Sequence, residues 1–214
     1  EMAFVAKNIP PFSAARFTLK KKAAKKSKAR RARADGLTLT NEWLTVKMDP
    51  ATGAIASIRQ KDLAFDLVDT ADTYGFNEYW YTGVDAANPR RSEKPVIKIK
   101  ENGPLVASFT VASEAPGANL FTREIQLTAG MNRVDILNLV DKKRVYEDEN
   151  VRFSFPFNVP DGQLRIDLAW ALMEPEKDQL RGANKNFFCA QHFVDISNSS
   201  DGVASTRPSR AVSV

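Results

Sequence analysis

Residues 37–59, L-T-L-T-N-E-W-L-T-V-K-M-D-P-A-T-G-A-I-A-S-I-R, decide the fold. Apolar Leu37 and Leu39, then Leu44, Val46 and Met48, recur at every second position, the period that puts side chains on one face of a strand. Asp49-Pro50-Ala51-Thr52-Gly53 then places proline early and glycine late, as a tight turn requires, and residues 54–59 return. The stretch is predicted to be a β-hairpin.

The same rhythm continues downstream. Residues 96–100 alternate apolar and basic side chains, Asn102-Gly103-Pro104 turns, and residues 105–112 alternate again. Pro116-Gly117 and Gly130-Met131-Asn132 then set off residues 120–128 and 133–140, which predicts an antiparallel meander. Phe153, Phe155 and Phe157 share one strand face, and Leu164, Ile166, Leu168 and Trp170 follow less regularly; both runs are expected in the core. Of the three consecutive aromatics Tyr79, Trp80 and Tyr81, most are expected in the core, with one or two free to stand exposed as ligand platforms. Residues 61–70 carry Leu63, Leu67 and Val68 at helical spacing, and helix and loop both stay open there. Short strands with frequent turns exclude a helical bundle or a parallel α/β domain and point to an all-β antiparallel β-sandwich.

At 214 residues, 43% hydrophobic and 27% charged, the chain can bury a substantial core. The net charge of +5 misleads, because residues 20–33, K-K-K-A-A-K-K-S-K-A-R-R-A-R, hold nine of the 31 basic groups and no acid. Everything else carries 22 basic against 26 acidic groups and is mildly acidic. Such a run repels itself and has no apolar stripe to dock it, so it is expected to be a solvated loop. Nucleic-acid modules back a basic arm with a basic folded surface, and without one here nucleic acid is not an expected partner. No apolar run is long enough to cross a bilayer as a helix, and Asp167 interrupts the most apolar stretch, so membrane is not expected either. One cysteine cannot form an internal disulfide, and the compartment stays unknown.

Residues 174–198, E-P-E-K-D-Q-L-R-G-A-N-K-N-F-F-C-A-Q-H-F-V-D-I-S-N, break the strand rhythm with polar groups that need partners if buried. They contain the only histidine, His192, and the only cysteine, Cys189, which is expected to be a small buried hydrophobe. A spacing of three puts those two on opposite faces of a strand, against a thiolate–imidazole pair. Asn198-Ser199-Ser200 matches the glycosylation sequon. His192 has two open readings: a satisfied polar residue at a core edge, or a wall of a glycan groove. Lys185, Gln191 and Asp195 offer the bonds that sugar hydroxyls need, and Phe187 and Phe188 could stack on a sugar face.

The segment 174–198 resembles a stretch of glycoside hydrolase family 38, the α-mannosidases, of the form P-E-x-D-Q-L-P-G-S, an aromatic pair, then Q-H-W-x-D-x-S-N. Residues 41–58 resemble the family's N-E-x-L-x-V-x-x-D-P-x-T-G-x-I-x-S-L pattern, and residues 6–12 its V-x-D-I-P-P-x-G strand. Blocks 74–81 and 151–157 match in the same order. Arg181 stands where the family has proline, Ala183 where it has serine and Phe193 where it has tryptophan.

The resemblance implies a galactose-mutarotase-like supersandwich. Residues 1–19 would be a strand from the preceding β region, 20–36 the basic loop, and 37–214 the sandwich of an internal piece of a longer protein. It implies a parent that hydrolyses α-mannosides with retention, using zinc held by two His and two Asp in an N-terminal catalytic barrel. The expected partners are that barrel, on the same polypeptide, and a mannose-containing glycan. Lys185, Phe187, Gln191, His192, Arg181 and Trp80 are the residues expected to touch the sugar. An independent carbohydrate-binding or mutarotase-like module is the alternative, and a basic-arm polyanion binder a further one.

No catalytic or metal-ligating residue, and no cofactor, is expected in the chain itself. A retaining glycosidase needs two carboxylates about 5 Å apart, and spacing along a sheet cannot choose a pair among 26 acids. There is no nucleophile elbow, phosphate loop, H-E-x-x-H or C-x-x-C. The purified chain is expected to show no α-mannosidase activity, with or without added zinc. Zinc-dependent turnover of an aryl α-mannoside, abolished by a chelator, would overturn this.

Overall fold

The computed structural model describes Phe4, Ala6 and residues 9–18, 32–85 and 87–206. The described residues form antiparallel sheets and no helix. They fall into two compact units, one ending at Pro156 and the other starting at Phe157.

In the first unit, β1 (Arg33–Asp35), β2 (Thr38–Thr40), β3 (Leu44–Met48) and β4 (Ile55–Gln60) form one sheet in chain order. β5 (Glu78–Thr82) and the short β6 (Arg90–Arg91) precede a four-strand meander of β7 (Glu93–Asn102), β8 (Val106–Glu114), β9 (Ala118–Thr128) and β10 (Val134–Lys142). β11 (Asn150–Ser154) pairs with β5, giving a third sheet ordered β11-β5-β6. The second unit holds β12 (Gln163–Leu168), β13 (Ala171–Met173), β14 (Phe193–Ser197) and β15 (Gly202–Thr206), ordered β13-β12-β14-β15.

Alternation turns one face of each sheet inward. Leu39 and Val46 of the first sheet and Ala107, Phe109, Val111, Ile125 and Leu127 of the meander are wholly buried, with β1 and β2 lying against β8. That makes the unit an all-β sandwich. Asn102 staples its edge, accepting from the Ala34 N–H at 2.9 Å and donating to the Ala34 carbonyl at 3.0 Å. On the third sheet, Tyr79 and Tyr81 join Phe121 in an aromatic core flanked by Val140, Val151 and Phe153.

The 49–53 turn closes through its own side chains. Asp49 accepts from the Ala51 N–H at 2.9 Å and the Thr52 hydroxyl at 2.6 Å, and its carbonyl accepts from the Gly53 N–H at 2.8 Å. Burial alone would raise the Asp49 carboxyl, but these bonds outweigh it and hold it below the ordinary range.

One cation lies inside the sandwich. Arg123, 1% exposed, sits on the inward face of β9. It donates to the Asn77 carbonyl at 3.1 Å, the Thr52 carbonyl at 3.1 Å and Ser113 Oγ at 3.3 Å. Burial pushes its guanidinium down to about 10, against the opposing pull of Glu78. Asn77, itself buried, exchanges two side-chain bonds with Asn138 on β10 and donates its N–H to the Ser154 carbonyl.

Several expectations need correction. Residues 37–49 are two strands rather than one, because the Asn41 carboxamide oxygen accepts from the Trp43 and Leu44 N–H groups and folds the chain into a turn. Residues 61–70 are a loop, held to β4 by Asp66, which accepts from the Ser57 hydroxyl and from the Ile58 and Val68 N–H groups. Residues 9–18 form no strand; Pro10 and Pro11 have no N–H to donate, and the Ser13 hydroxyl closes a turn on the Pro10 carbonyl. Of the basic run, residues 20–31 lie outside the described residues, and Arg33–Asp35 is strand rather than loop. Phe155 is partly exposed, and Trp170 is not core at all but fully exposed.

Gly53 adopts φ +68, and a Cβ there would meet Arg123 Nη2 at 2.6 Å, Pro95 Cβ at 2.8 Å and Val111 Cγ1 at 2.8 Å. Gly36, at φ +55, has nothing within 4 Å of the same added atom. Gly36→Ala should therefore cost only the left-handed strain, about 1 kcal/mol, while Gly53→Ala should cost about 2–4 kcal/mol because backbone strain and overpacking add. Urea midpoints compare the two, and equal losses would mean that Arg123 gives way freely.

Burial pushes the Tyr79 phenol up to about 12, with the charges of Tyr81 and Glu149 adding. Its hydroxyl donates to the Pro116 carbonyl at 2.6 Å. An unfolded tyrosine loses its proton near 10, so the stability Tyr79 adds is complete below that pH and is lost as pH rises through about 12. Arg123, lowered by burial, works in the opposite direction, so the comparison with Tyr79→Phe isolates the phenol. Wild type should exceed Tyr79→Phe by about 1 kcal/mol near neutral pH, and urea melts should show the gap closing in the alkaline window. A gap that persists unchanged through it would refute the assignment.

Candidate functional site

The second unit has a small interior, with Val159 and Ile166 its buried apolar residues among those described. It holds the whole of the segment that broke the strand rhythm, residues 174–198. β12 and β13 are joined by a two-residue turn, Ala169-Trp170, since Leu168 pairs with Ala171 across the hairpin. Trp170 holds φ +68 and is fully exposed. Beside that turn, Asp167, Leu168, Ala169, Trp170, Ala171, Leu172, Gln191 and His192 line an open cleft of about 570 Å³.

Asp167 organises the cleft. Its Oδ2 lies 2.7 Å from His192 Nδ1 and accepts from the His192 backbone N–H at 3.2 Å, while its carbonyl accepts from the Gln191 N–H at 2.8 Å. Both ends of the Gln191-His192 dipeptide are thus fixed to β12. The histidine side chain is 71% exposed and the Asp167 side chain 17% exposed. With Nδ1 turned to the carboxylate, Nε2 is the nitrogen left for a ligand. The cleft lining holds one carboxylate and no hydroxyl or thiol, so this arrangement suits holding a polar ligand rather than attacking it.

The preceding loop is wound on itself. Glu174 N–H donates to Asp178 Oδ2 at 2.7 Å, Glu176 N–H to Gln179 Oε1 at 2.8 Å, and Gln179 Nε2 to the Asn184 carbonyl at 3.0 Å. Lys177 lies 2.7 Å from Glu174, whose hydrogen bond and charge hold the ammonium above the ordinary lysine range. Lys185 Nζ reaches the Glu176 carbonyl at 3.4 Å.

Of the residues expected to touch sugar, the structure brings Gln191 and His192 into the cleft. Arg181, Lys185 and Phe187 are exposed on the loop and do not line it. Trp80 belongs to the first unit and offers no platform. It is buried, its indole N–H donates to Glu78 Oε2 at 3.1 Å, Arg91 covers one face at 4.8 Å and Tyr74 meets it edge-on at 4.9 Å. Tyr79 and Tyr81 are buried as well, so none of the triplet is free. Asp195 is occupied by Ser197 at 2.6 Å and by Arg165. Cys189, expected inside, is exposed, because residues 174–191 form no strand to carry it inward.

Asp167 and Trp170 are the cleft residues that sequence reasoning missed. Trp170 fitted a core period, and only the turn geometry turns it outward. The sequon residue Asn198 uses its carboxamide within the fold, donating to the Pro160 carbonyl at 2.9 Å and accepting from the Ser200 and Asp201 N–H groups.

Among the described residues no group of three His, Cys, Asp or Glu side chains could hold a metal ion. The chain's single histidine, His192, cannot by itself supply the two-histidine zinc centre that the resemblance implies for the barrel. A second concavity, of about 400 Å³, lies in the first unit beside Tyr81, Arg90, Glu147 and Asp148. Its Asp85 is taken up by its own loop through Ala87 and Asn88.

Comparison with known proteins agrees with this architecture. Residues 39–209 match Glycosyl hydrolases family 38 C-terminal domain, and the chain belongs to that family. Among solved structures, an alpha-mannosidase from Enterococcus faecalis superposes with a TM-score of 0.61 at 14% identity, over 83% of this chain. This chain spans 24% of that enzyme's length. No curated protein sequence matches.

Proposed function

We propose that the chain is the non-catalytic β-sandwich part of a family 38 α-mannosidase, that it supports the catalytic barrel of the same polypeptide, and that the Gln191-His192 cleft and the loop before it line the groove for a mannose-containing glycan. Family membership supports the first clause. The groove rests on one observation above all: a histidine fixed by a carboxylate beside exposed Trp170, in a unit that also exposes Leu180 and Phe187. Large apolar groups in water beside oriented polar ones mark a surface that meets something else. Zinc and the nucleophile belong, in this reading, to the barrel, and no step of hydrolysis passes through residues of this chain.

In the intact parent, His192→Ala and Lys185→Ala should lower kcat/KM for a mannoside several-fold while moving the melting temperature little, since both side chains are exposed. Kinetics beside thermal melts make the test. Wild-type kcat/KM with melting several degrees lower would show the segment to be structural.

A further inference from the structure

We infer that the Trp170 hairpin tip and the Asp167–His192 pair form a pyranose-binding site that this domain operates by itself, taking one hexopyranose residue of a glycan. It rests on the groove reading for the kind of ligand, and adds which side chains bind it and that no barrel is needed.

Trp170 is unfavourable twice where it stands. Its φ of +68 is a region that suits glycine or asparagine and strains a large side chain, and its indole lies wholly in water. Neither the turn nor the interior requires tryptophan there, so the residue gains nothing from folding. What it offers is a flat, rigid, amphipathic face at the mouth of a cleft.

The polar groups beside it have bonding capacity left over. Asp167 spends Oδ2 on His192 and its carbonyl on Gln191, while Asp167 Oδ1, His192 Nε2 and the Gln191 carboxamide make no hydrogen bond among the described residues. Together they offer acceptors and a donor around one ring, matching hydroxyls that each donate and accept. Leu168, Ala169 and Leu172 supply apolar lining for the C–H face of a sugar. No lysine or arginine lines the cleft, which disfavours a phosphate or carboxylate ligand, and its single carboxylate disfavours a metal. A neutral polyhydroxylated ring with an apolar face is the chemistry left, and a cleft of about 570 Å³ admits it with bridging water.

The test is an NMR titration of the full 214-residue chain with methyl α-mannopyranoside, following the indole N–H signals of Trp43, Trp80 and Trp170 and the His192 imidazole. The Trp170 and His192 signals should shift saturably, with a Kd on the order of 1–10 mM for so small and open a site, and Trp43 and Trp80 should stay put. Trp170→Gly should weaken binding, read at His192, by at least about tenfold and leave the melting temperature equal or higher, because glycine suits that φ. Trp170→Phe should retain binding within a few-fold. No shift of Trp170 at about 100 mM sugar, or unchanged binding in Trp170→Gly, overturns the site and leaves Trp170 as a protein-docking residue. Binding by the chain together with wild-type kinetics of the parent variants upholds this site and removes the groove reading. Impaired parent kinetics without binding does the reverse.

Discussion

A cation buried between two sheets constrains the first unit more than any apolar contact does. Hydrophobic packing fills volume without much regard for register, whereas a guanidinium inside the sandwich must find acceptors at fixed angles or cost several kcal/mol. The two Nη groups of Arg123 find them in the carbonyls of Thr52 and Asn77 and in Ser113 Oγ, while its Nε has no hydrogen-bond partner. Thr52 is in the turn of the first sheet, Asn77 enters the third, and Arg123 and Ser113 belong to the meander. One side chain therefore sets the positions of three sheets, and the bareness of Gly53 beneath it is the space that the guanidinium needs.

Asn77 extends the same constraint. Held at φ 58, it accepts from Arg123 through its carbonyl, pairs with Asn138 through its side chain and donates to Ser154 through its N–H. Next to it, buried Glu78 accepts from the Gly75 N–H and the Trp80 indole and lies 3.4 Å from Arg91. The block 75–81 is thus polar wiring inside a hydrophobic shell. Networks of this kind favour one arrangement over many compact alternatives, because each partial version strands a buried donor or acceptor.

The second unit is built on the opposite economy. Its interior is slight, β12 and β14 are largely half-buried, and Trp170, Leu172, Leu180 and Phe187 stand in water. In the reading proposed above, the strained, exposed tryptophan beside an oriented histidine serves contact rather than stability.

Much of this was written in local pattern. Period-two alternation and the Asp-Pro-Ala-Thr-Gly turn were enough for an all-β antiparallel class, because both depend on neighbours a few residues apart. What the sequence could not specify was facing. Trp80 and Trp170 sit in similar apolar runs, yet one is enclosed by Glu78, Arg91 and Tyr74 and the other projects from a hairpin tip. Asp167 read as an interruption until strand pairing set it beside a histidine 25 positions away. The alternation of a strand determines which residues share a face, but only the pairing and packing of distant segments decides whether that face meets protein or water.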